Sequence, residues 1–286
     1  MNRLGIDIGG TKIEAVVLDS NDNILIRTRV PTERANGYEH ILNQLSKLHF
    51  KIKNHLRDKF YFGVSVPGPL NNNGDMLKKS NTIVMIDKPI KKDLEQIFSC
   101  EPILENDANC FAQAETSLGA AKNKKIVFGV ILGTGVGGGI TINGKVFSGL
   151  NNIAGEWGHS VLFSNGKKCH CGNSGCVEQY LSGPSLEKYY FDLTKKKAIV
   201  TDIAKQPPQD WKNYFLNNFG MALGNVINII DPEVIVLGGG ISKVDFLYTE
   251  GPKWIEKFTF SKNIKTPLLK NKMGDSAGVF GAAFLQ

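Results

Sequence analysis

Long apolar runs, cysteine and acidic charge are all in short supply in this chain. No uninterrupted apolar stretch is long enough to span a bilayer. The best candidate, 126–142, is broken by six glycines, which excludes it as a membrane-spanning helix. The opening residues, Met-Asn-Arg-Leu-Gly-Ile-Asp, carry no apolar signal region and point to a cytoplasmic protein. Only five of 286 residues are cysteine, and with no sign of export a disulfide framework is not expected. Acidic residues number 27 against 34 basic, a net charge of +7. The lysines are scattered, with short clusters only at 122–125 and 195–197. That pattern reads as a solvated surface, hospitable to anionic phosphate substrates, rather than a nucleic-acid face. With 42% hydrophobic and 21% charged residues, the chain forms a globular core, and its length suits two domains.

The few cysteines are not evenly spread. Cys169, Cys171 and Cys176 fall within eight residues, and His159 precedes them by ten. One imidazole and three thiols make a complete tetrahedral zinc set. Glycines inside Cys-x-Cys-Gly-x-x-Gly-Cys permit the tight turns that wrap a chain around an ion. Free thiols in a surface loop are the plain alternative, and His170 is a rival to His159 as fourth ligand. Two carboxylates are in register with the cluster: Glu156, three residues before His159, and Glu178, two after Cys176. We read the zinc as structural, shaping a polar small-molecule pocket.

The order of elements suggests a duplication. Strands over 4–8, 13–18 and 24–30 form a meander whose first turn is Gly9-Gly10-Thr11-Lys12. A helix over 38–55 carries Ile41, Leu42, Leu45, Leu48 and Ile52 at helical spacing. A strand over 60–66 ends at Pro67-Gly68-Pro69, and 71–90 reads as loop. A helix over 91–98 and a strand over 102–105 follow. Asn106-Asp107 opens a helix over 108–118, where capping is the plain reading of Asp107. A strand over 125–132 then runs into a glycine turn spanning 133–139, a strand over 140–142 and the hairpin signal Asn143-Gly144. The strand–glycine turn–strand plan therefore occurs twice, about 125 residues apart. Beyond the cysteines the chain is mostly helical, over 184–193, 211–230, from Trp254, and over 278–285. A buried parallel-type strand at 233–237 leads into Gly238-Gly239-Gly240, and 266–269 reads as an edge strand.

Three glycine turns thus follow strands. Glycine lets backbone amides approach phosphate oxygens with no Cβ in the way. None matches the Walker pattern and none opens a helix in the dinucleotide manner, so a nucleotide would be held between two domains. Phosphoryl transfer needs phosphate cradling, a metal ion and a base for the acceptor hydroxyl. Asp107 is the candidate base. Asp7, at the end of the first strand, is placed to contact magnesium through water. Glu156 and Glu178 would accept hydrogen bonds from sugar hydroxyls. If His159 gives one ring nitrogen to zinc, the other can donate to a sugar oxygen.

These residues resemble the ROK group of sugar kinases and repressors. The likeness rests on Asp7-Ile-Gly-Gly-Thr-Lys12, Asn106-Asp107-Ala-Asn-Cys-Phe-Ala112, Gly133-Thr-Gly-Val-Gly-Gly-Gly139, the Glu156–His159 motif, 169–178 and 231–240, in order along nearly the whole chain. The resemblance implies an α/β, actin-like (ribonuclease H-like) duplicated two-domain fold. Its lobes would be 1–108 with 273–286, and 109–272 carrying the zinc loop. ATP and Mg2+ would occupy the cleft on Asp7, Gly9, Gly10, Thr11, Lys12, Gly133, Thr134, Gly135, Gly239 and Gly240. Asn81, Asn106, Asp107, Glu156, His159 and Glu178 would bind sugar, with Asp107 deprotonating its 6-hydroxyl. Zinc would rest on His159, Cys169, Cys171 and Cys176. A homodimer is expected from the resemblance alone. Within the group, 228–284 looks most like bacterial fructokinase/mannokinase, 132–145 like N-acetylglucosamine kinase, and the short loop 160–168 like glucokinases. The leading expectation is a fructokinase/mannokinase-like hexose kinase, with N-acetylglucosamine kinase or glucokinase as alternatives. A repressor needs a DNA-reading helix pair, and six residues before Asp7 leave it no room. A catalytically inactive sugar-binding regulator is the remaining reading.

Overall fold

The computed structural model describes residues 1–57, 59–80 and 82–285. In its first half β1 (Asn2–Ile8), β2 (Lys12–Leu18) and β3 (Ile24–Pro31) form an antiparallel meander. After α1 (Tyr38–Ile52), β4 (Phe60–Val66) joins β1 in parallel. After α2 (Ile90–Phe98), β5 (Ile103–Asn106) joins β4 in parallel. α3 (Asp107–Ser117) leads into a second meander, β6 (Ile126–Leu132), β7 (Val136–Ile142) and β8 (Lys145–Val146). The short α4 (Glu178–Leu181), α5 (Gly183–Thr194), α6 (Val200–Ile203) and the long α7 (Gln209–Ile230) follow. β9 (Val234–Gly238) then pairs parallel with β6. Past α8 (Phe246–Thr249) and α9 (Gly251–Glu256), β10 (Leu268–Lys270) pairs parallel with β9. α10 (Ala277–Ala283) ends the chain.

Among the described residues the two sheets have the orders β3-β2-β1-β4-β5 and β8-β7-β6-β9-β10. Each is a three-strand meander extended by two parallel strands, so the duplication expected from the glycine turns extends to whole sheets. The first sheet buries Leu4, Ile6, Ile13 and Val64 against the apolar stripe of α1, including Ile41, Leu45 and Leu48. The second buries Phe128, Val130 and Leu237 against α7 through Phe215, Phe219 and Leu223.

A third core, with Val16, Phe111, Val236 and Val279, joins the two halves through α3 and α10. These two helices sit close because small residues line the contacts. A Cβ on Gly5 or Gly63 would lie 2.2 and 1.9 Å from α10 carbonyl oxygens, and one on Gly281 would lie 1.7 Å from the Cys110 carbonyl oxygen of α3. Gly281→Val must therefore separate α3 from α10. We expect it to cost roughly 3 kcal/mol of stability, the upper range for overpacking. Urea unfolding measures this, and an unchanged midpoint would refute the close-approach account.

Most sequence-read elements are present within a few residues, and two readings change. The glycine turn after β6 covers only 133–135, while Gly137, Gly138 and Gly139 lie inside β7. They are glycine because Gly138 carries the Trp157 indole, whose Nε1 donates to the Gly137 carbonyl at 2.8 Å, and Gly139 lies against the Ala108 backbone. Trp254 lies within α9 rather than at its start, which Pro252 occupies near N1. The Asn143-Gly144 hairpin has positive φ at both positions, 52° and 81°, as its turn type requires.

Candidate active site

The carboxyl ends of the parallel strands converge, and the chemistry is gathered there. β1 delivers Asp7, β4 leads to Pro67-Gly68-Pro69, and β5 delivers Asn106. Asn106 is the cap of α3: its side-chain oxygen accepts the Asn109 N–H at 2.7 Å. Asp107 is thereby relieved of the capping role, and its carboxylate accepts the adjacent Ala108 N–H at 2.9 Å. Asp107 stays in contact with solvent, yet the protein around it pushes its carboxyl upward by desolvation, and Glu156 adds to the rise. Burial lifts Asp7 to about 6; the Ser65 hydroxyl opposes the rise and Asp107 reinforces it. Glu156 is raised by burial and then by Glu178. Repulsion thus links Asp7 to Asp107, Asp107 to Glu156, and Glu156 to Glu178.

The glycine turns frame this acidic line. Gly9 donates to the Lys12 carbonyl at 2.9 Å to close the first turn. β6 and β9 are neighbours, so the Gly133–Gly135 and Gly239–Gly240 turns lie at one end of one sheet. A Cβ on Gly133 or Gly240 would meet nothing within 4 Å, so open space adjoins the backbone at both. Gly239 has φ 80° and lies so close to the Leu132 carbonyl that a Cβ would be 2.2 Å away. Thr134 is exposed at the tip of its turn. Thr11 is exposed as well, and its carbonyl accepts the Thr32 N–H at 2.9 Å.

A cavity of about 610 Å³ lies beside the acidic line, lined by Glu156, His159 and His170 together with Pro67, Ile86 and Ile153. Its zinc-type loop is drawn together. One ligand atom from each of His159, Cys169, Cys171 and Cys176 lies within 4.8 Å of all the others. Cys171 and Cys176 sulfurs are 3.6 Å apart, and His159 Nδ1 is 3.7 Å from Cys169 Sγ. His170, largely exposed, has its Nδ1 3.9 Å from Cys169 Sγ and 3.4 Å from Glu178, outside the four-residue set that closes on one point.

Glu178 is not among the residues lining the cavity. It is tied to the Gly133–Gly135 turn, beside which its Oε2 accepts the Val136 N–H at 3.0 Å. Asn81 lies outside the described residues. Two acidic groups escaped the sequence reading. Glu14, buried on β2, holds Lys12 at 2.8 Å and Arg27 at 2.6 Å; a charge inside the apolar run Lys-Ile-Glu-Ala-Val-Val-Leu was its signal. Glu105, directly before Asn106, accepts from Asn109 Nδ2 at 2.8 Å and from the Ser148 hydroxyl. No local pattern reports that pairing.

A match to the ROK family spans residues 3–286. The chain belongs to the ROK family. N-acetyl-D-glucosamine kinase of Histophilus somni is 38% identical, over 98% of this chain and 97% of the relative. The same enzyme of Haemophilus influenzae is 37% identical, over 98% of each. Among solved structures, the ROK hexokinase of Thermus thermophilus superposes with a TM-score of 0.88 at 29% identity, covering 99% of this chain and 97% of the other. The ROK family glucokinase of Streptomyces griseus in complex with glucose and AMPPNP gives 0.78 at 27%, covering 99% and 98%. The protein is a sugar kinase of the ROK family with the actin-like two-domain fold. No described helix is long and apolar enough to cross a membrane.

Proposed function

We propose that this ROK sugar kinase transfers the γ-phosphoryl group of ATP to the 6-hydroxyl of N-acetylglucosamine. The curated relatives of matching length support that acceptor, the second of the sugars expected from sequence, over fructose or mannose. The observation that carries the mechanism is the position of Asp107 at the start of α3, between Asp7 at the end of β1 and Glu156 on the cavity wall.

In this reading Glu156 and the free ring nitrogen of His159 orient the sugar, and Asp107 takes the proton of its 6-hydroxyl as the new bond forms. The Gly9–Gly10 and Gly133–Gly135 amides hold the phosphates, with the lobes 1–108 plus 273–286 and 109–272 on either side. Beyond Gly240 a cavity of about 830 Å³, lined by Lys212, Lys243 and Phe246 among others, has room for the adenosine end. Asp7 and Asp107 are hard oxygen donors that repel one another, a set suited to Mg2+, which when bound neutralises charge on the phosphates. The cysteine cluster fits zinc too. Sulfur–sulfur and sulfur–nitrogen separations near 3.7 Å match the edges, about 3.8 Å, of a tetrahedron with ~2.3 Å Zn–S bonds. His159 is the better fourth ligand, since His170 is drawn to Glu178. The homodimer expected from the family resemblance has candidate surface at Ile229 and Phe260, which are 83% and 98% exposed.

A coupled ADP-release assay with MgATP tests the acceptor, using N-acetylglucosamine, N-acetylmannosamine, glucose, fructose and mannose. N-acetylglucosamine is expected to give the highest kcat/KM. A preference for fructose or mannose would return the assignment to the sugars suggested by 228–284. ATP turnover with none of the five would favour the inactive regulator.

A further inference from the structure

The segment after β3 is stapled beneath the first phosphate turn. Thr32 is buried, its hydroxyl donates to the Gly9 carbonyl at 2.7 Å, and its N–H donates to the Thr11 carbonyl at 2.9 Å. The next residue, Glu33, is left-handed with φ 49°, a conformation that costs energy outside glycine. Its carboxylate is held by His40 Nε2 at 2.7 Å and Gln44 Nε2 at 3.1 Å, both on α1. This bend turns the chain back on itself and brings Arg34 over the turn. A Cβ on Gly10 would lie 3.2 Å from Arg34 Nη1 and 3.8 Å from Thr82 Oγ1. Thr82 directly follows Asn81, one of the expected sugar ligands.

The Arg34 guanidinium therefore lies where the nucleotide turn and the sugar segment meet. In phosphoryl transfer, negative charge spreads over the three equatorial oxygens of the moving group. A planar guanidinium fork can grip two such oxygens at once.

We propose that Arg34 contacts the transferred phosphoryl group, holding the γ-phosphate of ATP and then the 6-phosphate of the product. The bond from phosphorus to the ADP oxygen breaks as the bond to the sugar oxygen forms. The hydroxyl proton goes to Asp107, and Arg34 gives up no proton. The inference rests on the kinase reading above for its role in turnover, but its binding role can be measured separately.

The test uses the full chain with Arg34→Ala and Arg34→Lys. ATP and ADP affinities are measured by calorimetry without sugar, and turnover with MgATP and N-acetylglucosamine. The parent should bind ATP more tightly than ADP. Arg34→Ala should erase that margin while leaving ADP affinity and sugar KM within error of the parent. Its kcat should fall on the order of 10²–10³-fold, the usual cost of losing one donor to transition-state charge. Arg34→Lys should recover only part of it, and added guanidinium ion should partly rescue Arg34→Ala. An equal loss of ATP and ADP affinity, or a parent with no preference for ATP, overturns the proposal. So does an Arg34→Ala kcat within threefold of the parent. A parent that prefers ATP but phosphorylates none of the five sugars would sink the kinase reading while leaving the γ-phosphate contact standing.

Discussion

Asp107→Asn is expected to lower kcat by roughly 10²–10⁴-fold, the span of general-base contributions, with sugar affinity close to that of the parent. The substitution preserves shape. The amide oxygen can still accept the Ala108 N–H, and Asn106 still caps α3. Folding is thus left out of the comparison, and the loss reports the proton acceptor. The same environment sets the pH profile. Desolvation, then Glu156, raises the Asp107 carboxyl, so the active, ionised base is lost as pH falls through a value above the ordinary ~4. The acid limb of kcat should therefore lie above the usual carboxylate range, with Asp7, at about 6, contributing to it.

Stability runs the opposite way. For a carboxyl raised in the folded state, the stability contribution is complete below its unfolded pKa and is lost as pH rises through the folded value. At neutral pH the ionised group therefore strains the ligand-free fold, and Asp107→Asn should melt at a higher temperature than the parent. The difference should shrink below pH ~4, where both side chains are neutral. Calorimetry at both pH values together with steady-state kinetics makes the check. Turnover retained in Asp107→Asn would end the assignment of the base.

Removing the metal from the cysteine loop should have the next largest effect. Purified protein is expected to carry one zinc per chain by elemental analysis, and Cys176→Ser to carry none. Cys176 is fully buried, two residues before Glu178, and its carbonyl accepts the Gln179 N–H at 2.9 Å as α4 begins. On the other side His159 shares a short turn with Trp157 and follows Glu156. Losing the ion should free the Glu156–His159 side of the sugar cavity and loosen the start of α4. Sugar KM should rise at least tenfold, in line with the cost of disturbing a ligand shell, and the melting temperature should fall, since metal affinity and loop order are linked. Cys100→Ser, far from the cluster in sequence, is the control and should keep its zinc. Full zinc in His159→Ala with loss in His170→Ala would move the fourth ligand to His170. Zinc-free parent protein with normal sugar KM would dismiss the metal altogether.

Much of this was written locally in the chain. The strands β1 and β2, the apolar stripe of α1 and the Asn143-Gly144 turn follow from short-range periodicity and turn chemistry, and the structure reproduces them. So did the repeated strand–glycine–strand plan and the spacing of His159 to Cys176, because a metal loop and a phosphate turn need their residue types close in sequence. Periodicity, however, records that a face is buried and not what covers it. Gly137 to Gly139 read as turn until Trp157 and the start of α3 were laid on them. Glu178 read as a sugar ligand from its spacing alone, and only the folded chain shows that its Oε2 also accepts the Val136 amide. Capping or catalysis stood open for Asp107 until Asn106 took the cap. Glu14 and Glu105 gained partners 13 and 43 residues away, in Arg27 and Ser148, and Arg34 came to lie over Gly10, 24 residues before it. Residue types and local spacing determined the elements and the kind of chemistry. Contacts between distant segments, closed only when α3 and α10 bring the two sheets together, decided which charged groups face one another.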